Sequence, residues 1–190
     1  LGLAVCQPLA CTEAYHRLHG TDPTLIGGGR DSAKRISGAL PVDRLGIEGL
    51  AFQSQVTLQQ MGGGEGSSLT GWVDPTTRRE YAIMGRSTAT SIIDITSPRQ
   101  PQIVATIPRQ AGTVASSWRE PKVVGNHVYI GVDGTTAGMQ VVDLTRVRNY
   151  SGSTLTLNAN ATYTGVTRIH TLATSPSGYL YAAGTNQAGG

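Results

Sequence analysis

The sequence predicts an all-β fold made of short strands joined by tight turns. Charged residues are only 14% of the 190 residues and aromatic residues 5%, whereas 25 residues are glycine. Such a composition favours strands and turns over a bundle of helices. Apolar residues still reach 38% and recur in short runs, which is typical of a folded chain rather than a disordered one.

The clearest pair of strands lies at residues 81–98, YAIMGRSTATSIIDITSP. A mostly apolar run at 81–85 and a run rich in β-branched residues at 91–95 flank a polar turn, as expected of two strands in the core of a sheet. The same unit returns at residues 129–145, and a third copy begins at 179–184. The sequence therefore predicts a repeated strand–turn–strand unit.

Residues 1–44 predict little regular structure. The stretch 1–11, LGLAVCQPLAC, resembles the tail of a secretory signal peptide with cleavage after Ala10, and a buried strand is the alternative. We assign residues 1–44 to a leader and an irregular N-terminal segment. No metal or other cofactor is predicted there, because three candidate ligands fall one short of a structural zinc site: Cys11, His16 and His19.

Residues 45–190 predict short strands throughout. Turn signals separate these strands, and Gly125-Asn126 between apolar flanks is a typical hairpin turn. A break is expected at Glu120-Pro121. The predicted strands are 47–52, 55–58, 69–73, 79–84, 91–95, 102–107, 116–119, 122–124, 127–132, 154–157, 161–163, 170–174 and 179–183.

Three features recur along this part of the chain. A tryptophan or histidine comes first, a short turn with Gly, Pro or Asn follows, and a strand led by tyrosine comes next. The tyrosines lie about fifty residues apart, and Asp94 and Asp143 keep the same spacing. The repeat positions are Trp72, Trp118 and His170, followed by Tyr81, Tyr129 and Tyr181.

A repeat of this length with four short strands predicts the blades of a β-propeller. The sequence has room for two to three such blades, and closure of a propeller takes more. We therefore expect residues 45–190 to be part of a larger closed propeller. As it stands, the chain is expected to associate through open sheet edges.

Several segments resemble one known family. Residues 71–108, 116–130 (SSWREPKVVGNHVYI), 138–148 (GMQVVDLTRVR) and 170–186 (HTLATSPSGYLYAAGTN) look like the choice-of-anchor B proteins, which carry LVIVD-type repeats and are similar to β-propellers. The resemblance covers about residues 45–190. It implies secretion or cell-surface display, and it implies no defined enzymatic activity.

The sequence lacks the motifs that are typical of nucleophilic catalysis. No GxSxG motif occurs, and the four histidines lie in unrelated contexts. The resembling family often carries a histidine where this chain has NATY at 160–163, so no site residues are carried over from it. His170 and Asp133 remain as candidate functional residues, and a hydrogen-bonded core histidine is the simpler interpretation of His170.

The recurring aromatic and acidic residues are assigned structural roles. Trp72 and Trp118 are expected to fill the space between sheets. Asp94 and Asp143 end matching strands two residues before a threonine, so each is expected to cap a turn through side-chain-to-backbone hydrogen bonds. A catalytic acid would be expected once rather than in every repeat.

Basic residues outnumber acidic ones by seven to three between residues 76 and 122. This excess predicts a surface for an acidic polymer, with Arg78, Arg79 and Arg86 as the contacts. Arginines spread around a sheet are the alternative. Nucleic-acid binding is not predicted, because exposed aromatic residues do not alternate with the basic ones.

These features predict a secreted or cell-surface scaffold that binds a protein or polysaccharide ligand without catalysis. Intact sequons at Asn149 and Asn160 are candidate N-glycosylation sites and agree with this location. The alternatives are a polyanion-binding protein and a metal-dependent, lactonase-like hydrolase that uses Asp133, His170 and Glu120. No run in this sequence approaches the ~20 apolar residues that a membrane-spanning helix requires.

Overall fold

The computed structural model describes residues 2–8, 50–134 and 136–187. Their regular structure consists of strands and a short 3₁₀ helix, Leu144–Asn149. The strands are β1 (Gly2–Pro8), β2 (Leu50–Thr57), β3 (Gly66–Val73), β4 (Glu80–Arg86), β5 (Ala89–Asp94), β6 (Gln102–Pro108), β7 (Arg119–Val124), β8 (His127–Val132), β9 (Met139–Asp143), β10 (Leu155–Thr156), β11 (Ala161–Tyr163), β12 (Thr171–Thr174) and β13 (Leu180–Ala183).

The strands form a series of mainly antiparallel sheets. The first meander is an antiparallel sheet of β3, β4, β5 and β6, in that order. β10 extends this sheet by pairing parallel to β6. The second meander consists of β7, β8, β9 and β11. The third unit is a single hairpin of β12 and β13, called the third hairpin. β1 pairs with β2 in a separate sheet. The predicted all-β class is confirmed, because the described residues contain almost no helix.

Both faces of the first meander are buried, and β4 shows how its sequence produces this. Tyr81 and Ile83 belong to the core shared with the second meander, whereas Ala82 and Met84 belong to a core on the other face. Successive side chains of a strand point to opposite faces of its sheet. A strand buried on both faces therefore carries a nearly continuous apolar run, as β4 does.

The larger core lies between the first and second meanders. Ile83 of the first meander and Val128 and Ile130 of the second are completely buried there. Trp72 stacks on Tyr81 at one end of this core, with ring centroids 5.2 Å apart. Burying one such aliphatic side chain contributes about 1.5–3 kcal/mol, so this shared core is the main force that holds the two sheets together.

The strand register gives a repeat alignment that differs from the expected one. Tyr81 in β4 pairs with Asp94 in β5, whereas His127 in β8 pairs with Asp143 in β9. Tyr81 therefore corresponds to His127 and not to Tyr129, which lies two residues further along β8. The even spacing of the tyrosines in the sequence does not mark equivalent positions in the sheets.

Trp118 and Tyr181 also differ from the expected repeat positions. Trp72 lies in β3 and is 5% exposed, whereas Trp118 is 61% exposed and Tyr181 is 57% exposed. Trp118 does not fill the space between sheets, because β7 begins only after it, at Arg119. Its side chain lies instead at the end of the second meander.

β7 runs through the proline at which a break was expected. Pro121 pairs with Ile130 of β8, within a strand that extends over Arg119–Val124. β7 is the edge strand of the second meander. The missing N–H of a proline is tolerated on the unpaired side of an edge strand. The two predicted strands at 116–119 and 122–124 are therefore replaced by one.

Two glycines set how closely the units approach each other. Gly85 of β4 and Gly131 of β8 hold corresponding positions in the register. A Cβ added to Gly85 would lie 2.3 Å from the carbonyl oxygen of Arg119, and one added to Gly131 would lie 2.7 Å from Cγ2 of Ile169. The start of each following unit therefore packs directly against a glycine of the unit before it.

The N-terminal predictions fall largely outside the described residues. β1 lies within the stretch for which a signal peptide and a strand were the alternatives. The predicted cleavage after Ala10, the boundary at residue 44 and the three candidate zinc ligands Cys11, His16 and His19 are not among the described residues.

The connections between strands lie on two opposite sides of the sheets. On one side, the loop face, β4, β6 and β8 end and β3, β5, β7, β9 and β12 begin. The loop face carries residues 58–65, 87–88, 109–118, 133–134, 136–138, 164–170 and 184–187. The opposite side, the turn face, carries residues 74–79, 95–101, 125–126, 144–149, 157–160 and 175–179.

Candidate functional site: the loop face

A carboxylate, an imidazole and a guanidinium meet on the loop face. Asp133 follows β8, and its Oδ2 lies 2.8 Å from Nδ1 of His170, just ahead of β12. Its Oδ1 accepts the backbone N–H of Gly134 at 2.8 Å and lies 3.5 Å from Nε of Arg168. These contacts, the hydrogen bond with His170 first, hold the pKa of Asp133 below its usual value. The structure thus brings together the two candidates from the sequence, Asp133 and His170.

Backbone hydrogen bonds fix this cluster to the sheets. The N–H of Asp133 donates to the carbonyl of Trp118 at 3.0 Å. Oδ1 of Asn186 accepts the backbone N–H of Arg168 at 3.2 Å, which anchors the loop ahead of β12. The side chains of His170 and Arg168 are 57% and 53% exposed. Their outer atoms are therefore accessible to a ligand.

The loop face also exposes aromatic side chains. Tyr163, at the end of β11, is 54% exposed, and Trp118 is exposed next to Ser117, whose hydroxyl donates to the carboxylate of Glu65. A shallow depression of about 390 Å³ lies beside Asp133, between residues 111–114 of one loop and 134, 136 and 137 of another. Concave sites with a few polar groups are the usual places for ligands to bind.

A buried arginine, Arg119, begins β7, opposite Val132 at the end of β8. Arg119 is 2% exposed, and no described carboxylate forms an ion pair with it. Its Nε donates to the carbonyl of Arg86 at 2.9 Å, and its Nη1 lies 3.4 Å from Oε1 of Gln140. Burial, and then the positive charges of Arg109 and Arg86, lower the pKa of Arg119 to about 10. An arginine in this state keeps its charge at an energetic cost.

Arg86 is not the surface contact that the sequence predicted. It is 2% exposed, with Nε donating to Oγ of Ser91 at 3.0 Å and Nη1 donating to the carbonyl of Gly63 at 2.5 Å. Successive side chains of β4 point to opposite faces of the sheet. Arg86 therefore lies on the same face as Met84, which is the face of the smaller core. The expected acidic-polymer surface therefore loses one of its three arginines.

Arg78 and Arg79 are exposed, but they lie on the turn face. Arg79 Nη1 donates to Oδ2 of Asp94 at 3.2 Å, so its charge is partly balanced. Arg78 has φ 60° and is the only described residue other than glycine with a positive φ. The two arginines are on the opposite side of the sheets from Asp133 and His170.

Asp74 and Arg148 connect the first and second meanders on the turn face. Nε and Nη2 of Arg148 donate to the two carboxylate oxygens of Asp74 at 2.8 and 2.6 Å. Asp74 is completely buried and also accepts the N–H of Thr76 and the hydroxyl of Thr77. These bonds, the one from Arg148 first, hold the pKa of Asp74 far below its usual 3.8. The pair is structural, because both oxygens are fully engaged.

Asp94 and Asp143 occupy turns of the predicted kind. In each case Oδ1 accepts a hydrogen bond at 2.9 Å from the backbone N–H of the threonine that follows two residues later, Thr96 or Thr145. The same arrangement at Asp74 shows that a turn of the form Asp-X-Thr recurs at the ends of strands. These aspartates hold the turn face in shape.

Both sequons lie on the turn face. Asn149 is exposed at the end of the 3₁₀ helix. Asn160 is also exposed, but its Oδ1 accepts the N–H of Asp143 at 2.9 Å and lies 3.1 Å from Nη1 of Arg146. Sugar chains on either residue would leave the loop face uncovered.

The described residues contain no group of three or more His, Cys, Asp or Glu side chains placed to hold a metal ion. Glu120, the third ligand of the alternative hydrolase site, pairs with Lys122 at 2.6 Å. The structure therefore joins Asp133 with His170 but does not add Glu120 to them. Within the same part of the chain, no helix has the length and apolarity needed to cross a membrane.

Comparisons with known proteins give no family for this chain. No family model, no curated protein and no solved structure matches it. The resemblance to choice-of-anchor B proteins therefore stays a prediction from motifs in the sequence.

Sequence analysis missed the buried side chains that connect the units. Arg119 follows an exposed tryptophan in a polar segment, and the carbonyl that it binds lies 33 residues earlier, in β4. No local pattern marks such a residue as buried. Asp74 did carry a signal, because Asp74-Pro75-Thr76 repeats the Asp-X-Thr form of the turns at Asp94 and Asp143.

Proposed function

We propose that this protein is a secreted or cell-surface scaffold of the β-propeller type, which binds its ligand on the loop face and catalyses no reaction. The observation that carries the proposal is the meeting of side chains from separate units at one place. Asp133 comes from the second meander, whereas His170 and Arg168 come from the loop that leads into the third hairpin. Repeat scaffolds build binding surfaces in this way, from loops held by rigid sheets.

The stacking of the units supports the propeller part of the proposal. β7 lies against β3 of the unit before it, and β12 lies against β7. First strands that neighbour one another in this way are the innermost strands around the channel of a propeller. Two successive four-stranded antiparallel meanders also match the form of propeller blades.

Glycosylation tests the extracellular part of the proposal. When the chain is expressed behind a signal peptide in eukaryotic cells, we expect it in the medium with a mass that a glycosidase lowers. Asn149→Gln should remove more of this shift than Asn160→Gln, because the side chain of Asn160 is already hydrogen-bonded. Retention in the cell and the absence of any shift in mass would contradict an extracellular location.

Binding to the loop face is tested with an array of extracellular glycans and matrix proteins. Trp118→Ala removes the exposed indole, whereas Arg78→Asn removes a charge from the turn face and keeps a residue that tolerates a positive φ. We expect the first variant to lose the array signals and the second to keep them. If Trp118→Ala keeps both its native near-ultraviolet circular dichroism and its binding, the loop face is not the binding surface.

A metal-dependent hydrolase is the second candidate function. The Asp133–His170 pair favours it, because a carboxylate that holds an imidazole can orient a metal ligand or a general base. The two candidates differ in metal content. One tightly held metal ion per purified chain, lost in His170→Ala, would favour the hydrolase over the scaffold.

A further inference from the structure

Two sheets of the described chain are only half as wide as the meanders between them. Among the described strands, β1 and β2 pair only with each other, and so do β12 and β13. The two meanders each contain four antiparallel strands, from β3 to β6 and from β7 through β8 and β9 to β11. Each of the narrow sheets therefore has the width of half a propeller blade.

The two narrow sheets correspond to different halves of a blade. β12 lies against β7, as β7 lies against β3, so β12 and β13 occupy the two inner positions. β2 leads through a loop into β3, as β6 leads through a loop into β7, so β2 occupies an outermost position. β1 runs antiparallel to β2, as β5 runs antiparallel to β6. The third hairpin is thus an inner half-blade, and the sheet of β1 and β2 is an outer half-blade.

The innermost strand of the first meander exposes apolar side chains. Leu69 of β3 is 47% exposed and Val73 is 51% exposed. Leu69 pairs with Met84, so both exposed residues lie on the face of the smaller core. In the second meander Pro121 holds the position of Leu69, and it is buried next to Gly85 of the unit before it. The inner half of a preceding blade would cover Leu69 in the same way.

The third hairpin exposes apolar side chains on the face that points away from the second meander. Leu172 of β12 is buried beside Gly131 of the second meander. Tyr181 pairs with the residue that follows Leu172, so it points to the opposite face. Tyr181 is exposed, and so is Tyr179 two residues before it. Tyr81, on the equivalent face of the first meander, is buried because the second meander covers it.

The backbone directions of the two half-blades also fit each other. β13 ends on the loop face, whereas β1 begins there, because β1 is antiparallel to β2 and β2 ends on that face. Placed side by side, β13 and β1 would therefore run antiparallel, as β4 and β5 do in the first meander. Such pairing would satisfy the N–H and C=O groups that an unpaired strand edge leaves open to association.

We propose that two copies of this chain join head to tail, so that the third hairpin of one copy and the sheet of β1 and β2 of the other form one four-stranded blade. Tyr181 of one copy then faces Leu69 and Val73 of the other, and the two exposed apolar surfaces cover each other. The row of neighbouring first strands, β3, β7 and β12, continues from one copy into β3 of the next. This inference rests on the propeller part of the proposed function.

The number of blades favours a second copy over closure within one chain. Two complete meanders and two half-blades are equivalent to three blades per chain, whereas propellers typically have four to eight. Two copies supply six blades, which lies within that range. Head-to-tail contacts form a closed ring when the rotation between copies closes, and in a ring of two copies both contacts are identical.

The test measures the mass of the purified 190-residue chain by sedimentation equilibrium. We expect a dimer, with twice the 19.9 kDa of one chain. Val73→Asp and Tyr181→Asp should each raise the dissociation constant of the dimer at least about tenfold, because each puts a charge into an apolar contact. Val114→Asp is the matched control, at an exposed valine of the loop after β6, and should leave the dimer unchanged. Each variant should keep the near-ultraviolet circular dichroism of the wild type.

Hydrogen exchange of the wild type gives a second measurement that needs no variant. Peptides that contain β1 and β13 should exchange their amide protons more slowly above the dissociation constant of the dimer than below it, because pairing between copies protects them. Equal exchange of these peptides at both concentrations would overturn the shared blade.

The other outcomes separate this inference from the proposed function. A monomer that still binds the array through Trp118 would overturn the dimer and leave the binding role of the loop face in place. A dimer that binds nothing on the array would contradict the binding role and leave the assembly in place. Loss of the dimer in Tyr181→Asp but not in Val73→Asp would mean that two third hairpins meet, which overturns the shared blade. A mass that keeps rising with concentration would mean an open chain of copies and overturn the six-bladed ring.

Discussion

The two interfaces between successive units are both packed on a glycine, but a backbone atom makes the contact at the first and a side chain makes it at the second. At the first interface, Arg119 packs its carbonyl on Gly85 and buries a charged side chain against the first meander. At the second interface, Ile169 packs an aliphatic side chain on Gly131. A closely packed glycine is thus common to both interfaces, whereas the group that packs on it is a carbonyl at the first and an aliphatic side chain at the second.

The polar pairs that cross the two interfaces differ in how deeply they are buried. Asp74 and Arg148 cross the first interface with the carboxylate completely buried, whereas Asp133 and His170 cross the second with the imidazole 57% exposed. Removing one partner of a pair whose carboxylate is buried leaves the other partner without its hydrogen bonds, which costs more than breaking an exposed pair. The first pair is therefore expected to matter more for stability, whereas the second is accessible to solvent.

The largest expected effect is at the glycines. Gly85→Ala should lower the free energy of unfolding by about 3 kcal/mol or more, because its methyl group would meet the backbone of Arg119, which cannot move alone. Gly131→Ala should cost less, about 1–2 kcal/mol, because the added methyl group would meet side-chain atoms of Ile169 and Leu172, which can shift more easily than a backbone carbonyl. Urea unfolding followed by tryptophan fluorescence measures both values. Equal losses of stability in the two variants would contradict the distinction between the backbone contact at Gly85 and the side-chain contact at Gly131.

The buried ion pair should give the next largest effect. Asp74→Asn should cost about 2 kcal/mol, because it weakens several charge-assisted hydrogen bonds at once. The folded pKa of Asp74 lies below its usual 3.8, so its stabilisation is present above that pH and is lost as the pH falls through the folded value. Acid titration of unfolding should therefore show a steeper loss in the wild type than in Asp74→Asn. Parallel curves for the two proteins would contradict this role.

The effect of replacing the buried Arg119 should depend on the size of the new side chain. Arg119→Met keeps the length of the side chain and removes both the buried charge and the donor to the carbonyl of Arg86, so these effects should offset each other and stability should change by no more than about 1 kcal/mol. Arg119→Ala leaves a cavity and should cost about 2 kcal/mol. Urea unfolding measures both values. A Met variant that is clearly less stable than the wild type would show that the charge holds the first interface together.

The smallest effect is expected at the exposed pair. Asp133→Asn should change the free energy of unfolding by less than about 0.5 kcal/mol, because ion pairs this accessible to water contribute little. The lowered pKa of Asp133 means that even this contribution is lost as the pH falls through the folded pKa. A cost equal to that of Asp74→Asn in the same urea experiment would remove the contrast between the interfaces.

The sequence predicted the strands well and the equivalence of residues poorly. Apolar runs and turn residues are local, so they located β4, β5, β8 and the turns at Asp94 and Asp143. The repeat alignment depends on pairing between strands, which a spacing of tyrosines does not determine. For that reason Tyr129 and Trp118 were matched to residues that occupy other positions in the sheets.

The candidate site was predicted only in part, for a similar physical reason. His170 and Asp133 were selected singly, as residue types suited to chemistry, and their contact at 2.8 Å joins residues from separate units. Arg78, Arg79 and Arg86 were predicted to form one surface because they are close in the sequence. Side chains of β4 point alternately to opposite faces of the sheet, and this alternation buries Arg86, whereas Arg78 and Arg79 lie on the turn face.

The glycine contacts have a consequence for how such a chain can change over evolutionary time. Each meander carries the glycine that receives the next unit, and the beginning of each following unit, Arg119 or Ile169, carries the residue that packs on that glycine. A duplicated stretch of gene that encodes one unit would therefore bring both halves of the contact with it. The glycine contact would then be present at the new interfaces from the start, and only the polar pairs that cross them would have to be matched by later substitutions.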